Sequence, residues 1–141
     1  DFTLKYSHVI PALVRKAVSA LEKKQKEIVV WGTGNISREF IFVEDAAEAI
    51  VLATERYDKS DPVNIGSGEE IYIKDLVKLI IELVGFDGKI KWDTSKPDGQ
   101  PRRSLDVSRA RTEFFFEAKT SLIEGIKKTI KWYIQNKEKI E

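Results

Sequence analysis

The chain has 141 residues, with 24 Lys and Arg against 23 Asp and Glu, a formal net charge of +1. So even a balance gives no electrostatic footprint for nucleic acid or an anionic membrane surface, and neither is expected as a partner. There is no cysteine and a single histidine, His8, which excludes disulfides, thiolate metal sites and histidine-rich metal clusters.

The length predicts one domain over residues 1–141. A chain of this size buries roughly two thirds of its unfolded surface, enough for a core without staples. No apolar run approaches the ~20 residues of a membrane span and no signal peptide is visible, so the expected location is cytoplasmic. The sequence opens on Asp1 and contains no methionine, and the expectation is a piece of a longer polypeptide.

Asp1 to His8 reads as a polar lead-in. A helix is expected from near Val9, with Pro11 in its first turn, where a missing N–H costs nothing. Ile10, Leu13, Val14, Ala17 and Leu21 share one of its faces, and Lys23, Lys24 and Lys26 suit its C-terminal end. Ile28 to Trp31 is a compact β-branched run, expected to form a short buried strand. Gly32-Thr33-Gly34-Asn35 turns the chain and lets a ligand approach the backbone. Arg38 follows, and Phe40 to Val43 reads as a second strand. Glu44 to Arg56 is a predicted helix whose acidic start complements the dipole; Ala46, Ala47, Ala49, Ile50 and Ala53 offer it a small-residue packing face. Asp58 to Pro62 reads as a loop, Val63 to Ile65 as a short strand and Gly66-Ser67-Gly68 as a turn.

Ile73 to Val84 reads as a strongly apolar helix stopped by Gly85. Lys89 to Trp92 is a predicted strand, Thr94 to Pro101 a loop with two prolines and a glycine, Ser104 to Val107 a brief strand, and Ser108 to Phe114 a short helix. Ser121-Leu122-Ile123-Glu124 has the form of a capping box. It opens a last helix to about Asn136, with Leu122, Ile126, Ile130 and Tyr133 inward. Helices alternating with few, short strands define an α/β class: a small sheet with helices, not a complete doubly wound domain.

Gly32 and Gly34 after a strand invite a dinucleotide-binding reading. The third glycine position is Ser37 and no helix start follows until Glu44, so a pyrophosphate would lack a helix dipole, and that reading is set aside. Arg38 carries a guanidinium that matches a diphosphate bidentately; on residues alone, an ion pair with Glu39 or Glu44 is an equal alternative. Trp31 suits stacking on a base or sugar, or a core position. Asp98, in Lys96-Pro97-Asp98-Gly99-Gln100, suits acceptance of sugar hydroxyls or an Asp-Gly turn. Arg102 and Arg103 suit phosphate or Asp106. His8 is the only side chain that titrates near neutrality unperturbed. Tyr133 and Lys137 have the Tyr-x-x-x-Lys spacing of a reductase dyad, but they fall in final, lysine-rich turns expected to fray, with no serine strand before them. The expectation is a core tyrosine and a solvated lysine.

The segment VVWGTGNxSREFxFVED resembles the nucleotide-sugar-binding segment of extended short-chain dehydrogenases. Ser7 to Lys16, Pro62 to Leu76 and Trp92 to Ala110 extend the resemblance, over nearly the whole chain, to the C-terminal half of the GDP-L-fucose synthase family, the GDP-4-keto-6-deoxymannose epimerase/reductases. The resemblance implies a substrate-binding part without its N-terminal Rossmann half, which in the family carries the NADP turn and the Ser-Tyr-Lys triad. NADP(H) would then belong to the full-length parent and none is expected on this stretch. A GDP-sugar is the implied substrate, held by Lys16, Trp31, Arg38 and Asp98. His8 is implied beside the nicotinamide and the sugar, as an acid/base in epimerisation. Another extended short-chain nucleotide-sugar epimerase or dehydratase remains open, as does a non-catalytic sugar-nucleotide-binding module. The run Phe114-Phe115-Phe116 departs from the family, where a glycine is usual. It implies extra burial against the missing half or another copy, which leaves a homodimer open.

Overall fold

The computed structural model describes residue 2 and residues 7–140. Among the described residues, five helices and five strands follow one another: α1 (Val9–Glu22), β1 (Glu27–Trp31), β2 (Ser37–Glu39), α2 (Val43–Arg56), β3 (Glu70–Tyr72), α3 (Ile73–Val84), β4 (Lys89–Asp93), β5 (Arg102–Arg103), α4 (Ser108–Phe114) and α5 (Leu122–Ile140). The α/β class holds, but the expected single sheet is two. β1 and β4 pair in parallel, from Glu27 opposite Lys89 to Trp31 opposite Asp93. β2 lies between β3, antiparallel, and β5, parallel.

The main core lies between α1, α3, α5 and the inner face of β1, around Val14, Leu76, Val77, Ile80, Ile126 and Tyr133. Burying side chains of this size contributes about 1.5–3 kcal/mol each relative to exposure. A smaller core of Ala49, Ala110, Phe114 and Phe116 joins α2 to α4. Asp45 is buried in α2, and Thr120 satisfies it through its backbone N–H (2.9 Å) and hydroxyl (3.1 Å). That pair fixes the entry to α5. Ser121 Oγ accepts the Glu124 N–H at 3.3 Å, as the capping signature predicts. Among the described residues, no helix is long and apolar enough to cross a membrane.

Several local expectations are corrected. Phe40 to Val43 is not a strand: Phe40 to Phe42 run irregularly and Val43 opens α2. The strand is Ser37–Glu39 instead, because all three residues pair with β3 and Ser37 and Arg38 also pair with β5. Val63 to Ile65 and Ser104 to Val107 have no ladder partner; Val63 and Ile65 pack on the smaller core as loop, and the pairing falls to Glu70–Tyr72 and Arg102–Arg103. Leu21 is 42% exposed, and Val18 and Ala20 take the buried positions of α1 instead. Ile50 and Ala47 face outward from α2. α5 runs past Asn136 to Ile140, and Lys137 is not solvated: it pairs with Glu22 of α1. Tyr133 is a core residue, as expected. Phe114 and Phe116 are buried, but Phe115 between them is exposed, so the extra burial expected of all three applies to two.

Candidate functional site

The geometry begins where β1 ends. The strand alternates exposed and buried residues rather than being buried throughout, which turns Glu27, Val29 and Trp31 outward. Trp31 is 63% exposed. Gly32 and Gly34 then take left-handed φ values of +84° and +75°. Both are required sterically as well. A methyl at Gly32 would overlap the Asp98 carboxylate, and one at Gly34 would lie 2.6 Å from the Trp92 ring.

The loop from Lys96 to Gly99 lies along this turn, in contact through Lys96, Asp98 and Gly99. Lys96 Nζ sits 5.5 Å from the Trp31 ring. Asp98 accepts the Thr33 N–H at 2.6 Å and the Thr33 hydroxyl at 2.7 Å. Gly99 faces Arg38: a Cβ there would meet the guanidinium Nη2 at 3.6 Å. The Thr33 N–H first, and its hydroxyl second, hold the Asp98 carboxyl below the usual carboxylate range. From α1, Lys16 reaches the same indole, 5.6 Å from the ring, and donates to the Val29 carbonyl at 3.1 Å. Burial lowers its pKa from the ordinary lysine value. Trp31 therefore stands between two lysines, a cation–π arrangement on an exposed ring.

Arg38 is half-buried and donates to the Ser37 carbonyl at 2.6 Å. Neither sequence-level ion pair forms. Glu39 accepts the backbone N–H groups of Gly68 (3.0 Å) and Leu105 (2.9 Å), and Glu44 pairs with Lys128 at 3.1 Å. Among the described residues no carboxylate forms an ion pair with Arg38, Lys16 or Lys96, although Asp98 lies on the turn and Asp93 interacts electrostatically with Lys96. Of the two arginines on β5, Arg102 is held by Glu70 at 2.7 Å, not by Asp106, whose carboxylate caps the Ser108 N–H at 2.9 Å. Arg103 lies in register with Arg38.

His8 lies elsewhere. It occupies the N-cap position of α1, exposed, without a side-chain capping bond. Eight residues of helix separate it from Lys16, about 12 Å along the axis. It lines a cleft of about 270 Å³ with Phe40, Ile41, Phe42, Thr120 and Leu122. The structure thus joins Lys16, Trp31, Arg38 and Asp98 around one turn and leaves His8 at the far end of α1. Sequence reasoning missed Lys96 and Thr33, and rated Arg103 no higher than Arg102. Period-two alternation along β5 separates the two arginines once the register is known, but nothing local announces that register.

The turn does not fit a dinucleotide pyrophosphate. The chain leaves it as β2 rather than a helix, and the Gly34 carbonyl accepts the Lys74 N–H of α3 at 3.0 Å, so that helix start faces a carbonyl.

The sequence profile of the NAD dependent epimerase/dehydratase family matches residues 1–66. Probable GDP-L-fucose synthase 1 of Oryza sativa subsp. japonica is 45% identical over 136 residues, 96% of this chain and 41% of that protein. GDP-L-fucose synthase of Escherichia coli (strain K12) is 37% identical over 99% of this chain and 46% of its own length. Among solved structures, a GDP-L-fucose synthetase from Naegleria fowleri superposes with a TM-score of 0.90 at 27% identity, covering 98% of this chain and 42% of that one. The same protein bound to NADP gives 0.89. The chain spans less than half the length of these relatives. By sequence, residues 1–66 are similar to the NAD dependent epimerase/dehydratase family, and by sequence and fold nearly the whole chain is similar to part of the GDP-L-fucose synthases.

Proposed function

We propose that this chain is the nucleotide-sugar-binding portion of an NADP-dependent GDP-4-keto-6-deoxymannose 3,5-epimerase/4-reductase, the activity that makes GDP-L-fucose. The observation that carries the reading is the exposed Trp31 flanked by Lys16 and Lys96, near an Arg38 that pairs with no carboxylate among the described residues. An aromatic face for a base or sugar next to cations held in no ion pair suits a ligand that is flat at one end and doubly anionic in the middle.

Arg38 binds the diphosphate through its planar fork, with Lys16 and Lys96 as point charges. Asp98 keeps lone pairs beyond the two that Thr33 occupies and accepts sugar hydroxyls with them. His8 takes and returns the proton at a carbon next to the ketone, as a positioned imidazole can in general acid–base catalysis. Its separation from Lys16 by two helical turns requires an extended ligand, which a nucleotide diphosphate sugar is. Hydride delivery by NADPH is assigned to residues outside this chain, on a Rossmann half as its partner, a reading that the relatives' greater length supports.

Calorimetric titration with GDP, UDP and dTDP, on the chain and on Arg38→Ala, tests the reading. GDP is expected to bind. Arg38→Ala is expected to weaken it roughly ten- to a hundredfold, since hydrogen bonds to charged groups contribute about 1.5–3 kcal/mol. Absent GDP binding, or binding indifferent to Arg38, overturns the proposal. Preferential UDP or dTDP binding moves the substrate to another sugar nucleotide.

A further inference from the structure

β5 is two residues long, and its pairing to β2 amounts to Ser37 opposite Arg102 and Arg38 opposite Arg103. Residues paired across a ladder project to one face, and alternate residues to opposite faces. One face of this small sheet therefore carries Arg38 and Arg103 side by side; the other carries Ser37, Glu39, Glu70 and Arg102. On that second face, Glu70 lies opposite Glu39. The two like charges are kept apart in purpose: Arg102 takes Glu70 at 2.7 Å, and Glu39 turns to backbone N–H groups.

Adjacent like charges with no counterion are unfavourable, and two ladder positions are a weak hold on a strand that presents one. Something else must fasten it. Glu39 accepts the Leu105 N–H at 2.9 Å, two residues past Arg103, and its other oxygen accepts the Gly68 N–H at 3.0 Å. A methyl at Gly66 would overlap that carboxylate. The segment after β5 is tied to the same loop by Asn64 Nδ2, which donates to the Asp106 carbonyl at 3.2 Å.

We propose that Glu39 is a positioning residue that seats Arg103 beside Arg38, making a two-guanidinium clamp for the diphosphate. The inference rests on the nucleotide-sugar reading above and adds to it a second arginine and the carboxylate that holds it. Glu39 touches no ligand itself. Its hydrogen bonds to charged oxygen are of the stronger class, and they fix the strand that carries the second cation.

The test is a double-mutant cycle on GDP affinity, with Glu39→Ala, Glu39→Gln, Arg103→Ala and the Glu39→Ala/Arg103→Ala pair, alongside Tm. Glu39→Ala is expected to weaken GDP binding about five- to tenfold. Glu39→Gln is expected to fall between it and the wild type, because the amide oxygen keeps one acceptor. In the Arg103→Ala background, Glu39→Ala is expected to weaken binding no further, while its loss in Tm persists. A merely structural Glu39 predicts the same fold-loss of GDP affinity in both backgrounds, and that result overturns the inference, as does unchanged affinity. Should Glu39→Ala fail to fold, Gly66→Ala displaces the carboxylate without deleting it and enters the same cycle with the same expectations. Arg38→Ala separates the two levels. If it leaves GDP binding intact, the nucleotide-sugar reading falls and this inference with it. If it weakens binding while the cycle is additive, only this inference falls.

Discussion

Thr33 gives both of its donors to Asp98, the backbone N–H at 2.6 Å and the hydroxyl at 2.7 Å. The carboxylate is thereby the fastening of the Lys96–Gly99 loop to the glycine turn as well as a candidate ligand group. Both bonds favour its charged form, so its folded pKa lies below the unfolded value of about 3.9. The sign follows from that direction. A depressed carboxylate contributes stability above the unfolded pKa, and the contribution is lost as pH falls through the folded pKa. Asp98→Asn is therefore expected to lower Tm at pH 7, with the gap to wild type closing only below about pH 4. Thermal melts from pH 2.5 to 7 check it. A gap that stays constant across the range would mean that the charge of Asp98 contributes nothing.

Trp31 gives a contrast between stability and binding. With 63% of its surface exposed, its removal takes little buried area from the fold. Trp31→Ala is expected to move Tm by about 2 °C or less, as surface substitutions do. GDP affinity is expected to fall roughly five- to a hundredfold, since a base stacked on an aromatic side chain contributes about 1–3 kcal/mol. Trp31→Phe should retain part of it. A large drop in Tm with unchanged GDP affinity would reverse the assignment and make the indole a structural residue.

Two glycines with nearly the same φ separate backbone strain from crowding. Gly85 ends α3 at φ +79°, and a methyl there meets nothing within 4 Å. Gly85→Ala should therefore lose only the left-handed preference, about 1–2 kcal/mol. At Gly34, φ +75°, an added methyl would overlap the Trp92 ring and come within 3.0 Å of Lys74 Cβ. Gly34→Ala should lose a further 1–3 kcal/mol or so from overpacking. It should also weaken GDP binding, which Gly85→Ala leaves alone. Chemical denaturation of both variants, with GDP titration, is the measurement; equal losses in the two would show that the turn yields without consequence.

The same residues explain what the sequence could and could not tell. α3 was legible to the residue, from Ile73 to the Gly85 stop, because a long apolar period and a left-handed cap are local signals. Arg38, Trp31, Lys16 and Asp98 were singled out through a motif rather than through pattern, and the structure adds only that they gather around one turn. The strands were misplaced because β-pairing is a choice of partner. Phe40 to Val43 has the better β composition, yet Ser37–Glu39 has two neighbours to pair with. Lys96 stayed hidden because its proximity to Trp31 joins residues 65 positions apart, and no window of sequence contains both. The fate of Glu39 was hidden for the same reason: its partners are backbone groups of two distant loops.

Phe115 is the last test, and it bears on what covers this chain. It closes α4 in the left-handed region, at φ 60° and ψ 33°, within the three-residue segment where the family resemblance makes a glycine usual. A non-glycine residue there is disfavoured by about 1–2 kcal/mol. Glycine loses about 0.5–1 kcal/mol through its freer unfolded chain. With the ring 75% exposed, little burial is lost on its removal, so the backbone effect wins and Phe115→Gly should raise Tm by about 1–3 °C. The opposite sign has a physical meaning of its own. A fall in Tm would show that in solution the ring is covered by a surface the isolated chain does not provide. Because dimer stability depends on protomer concentration, melts repeated at several protein concentrations then tell whether a second copy is that surface.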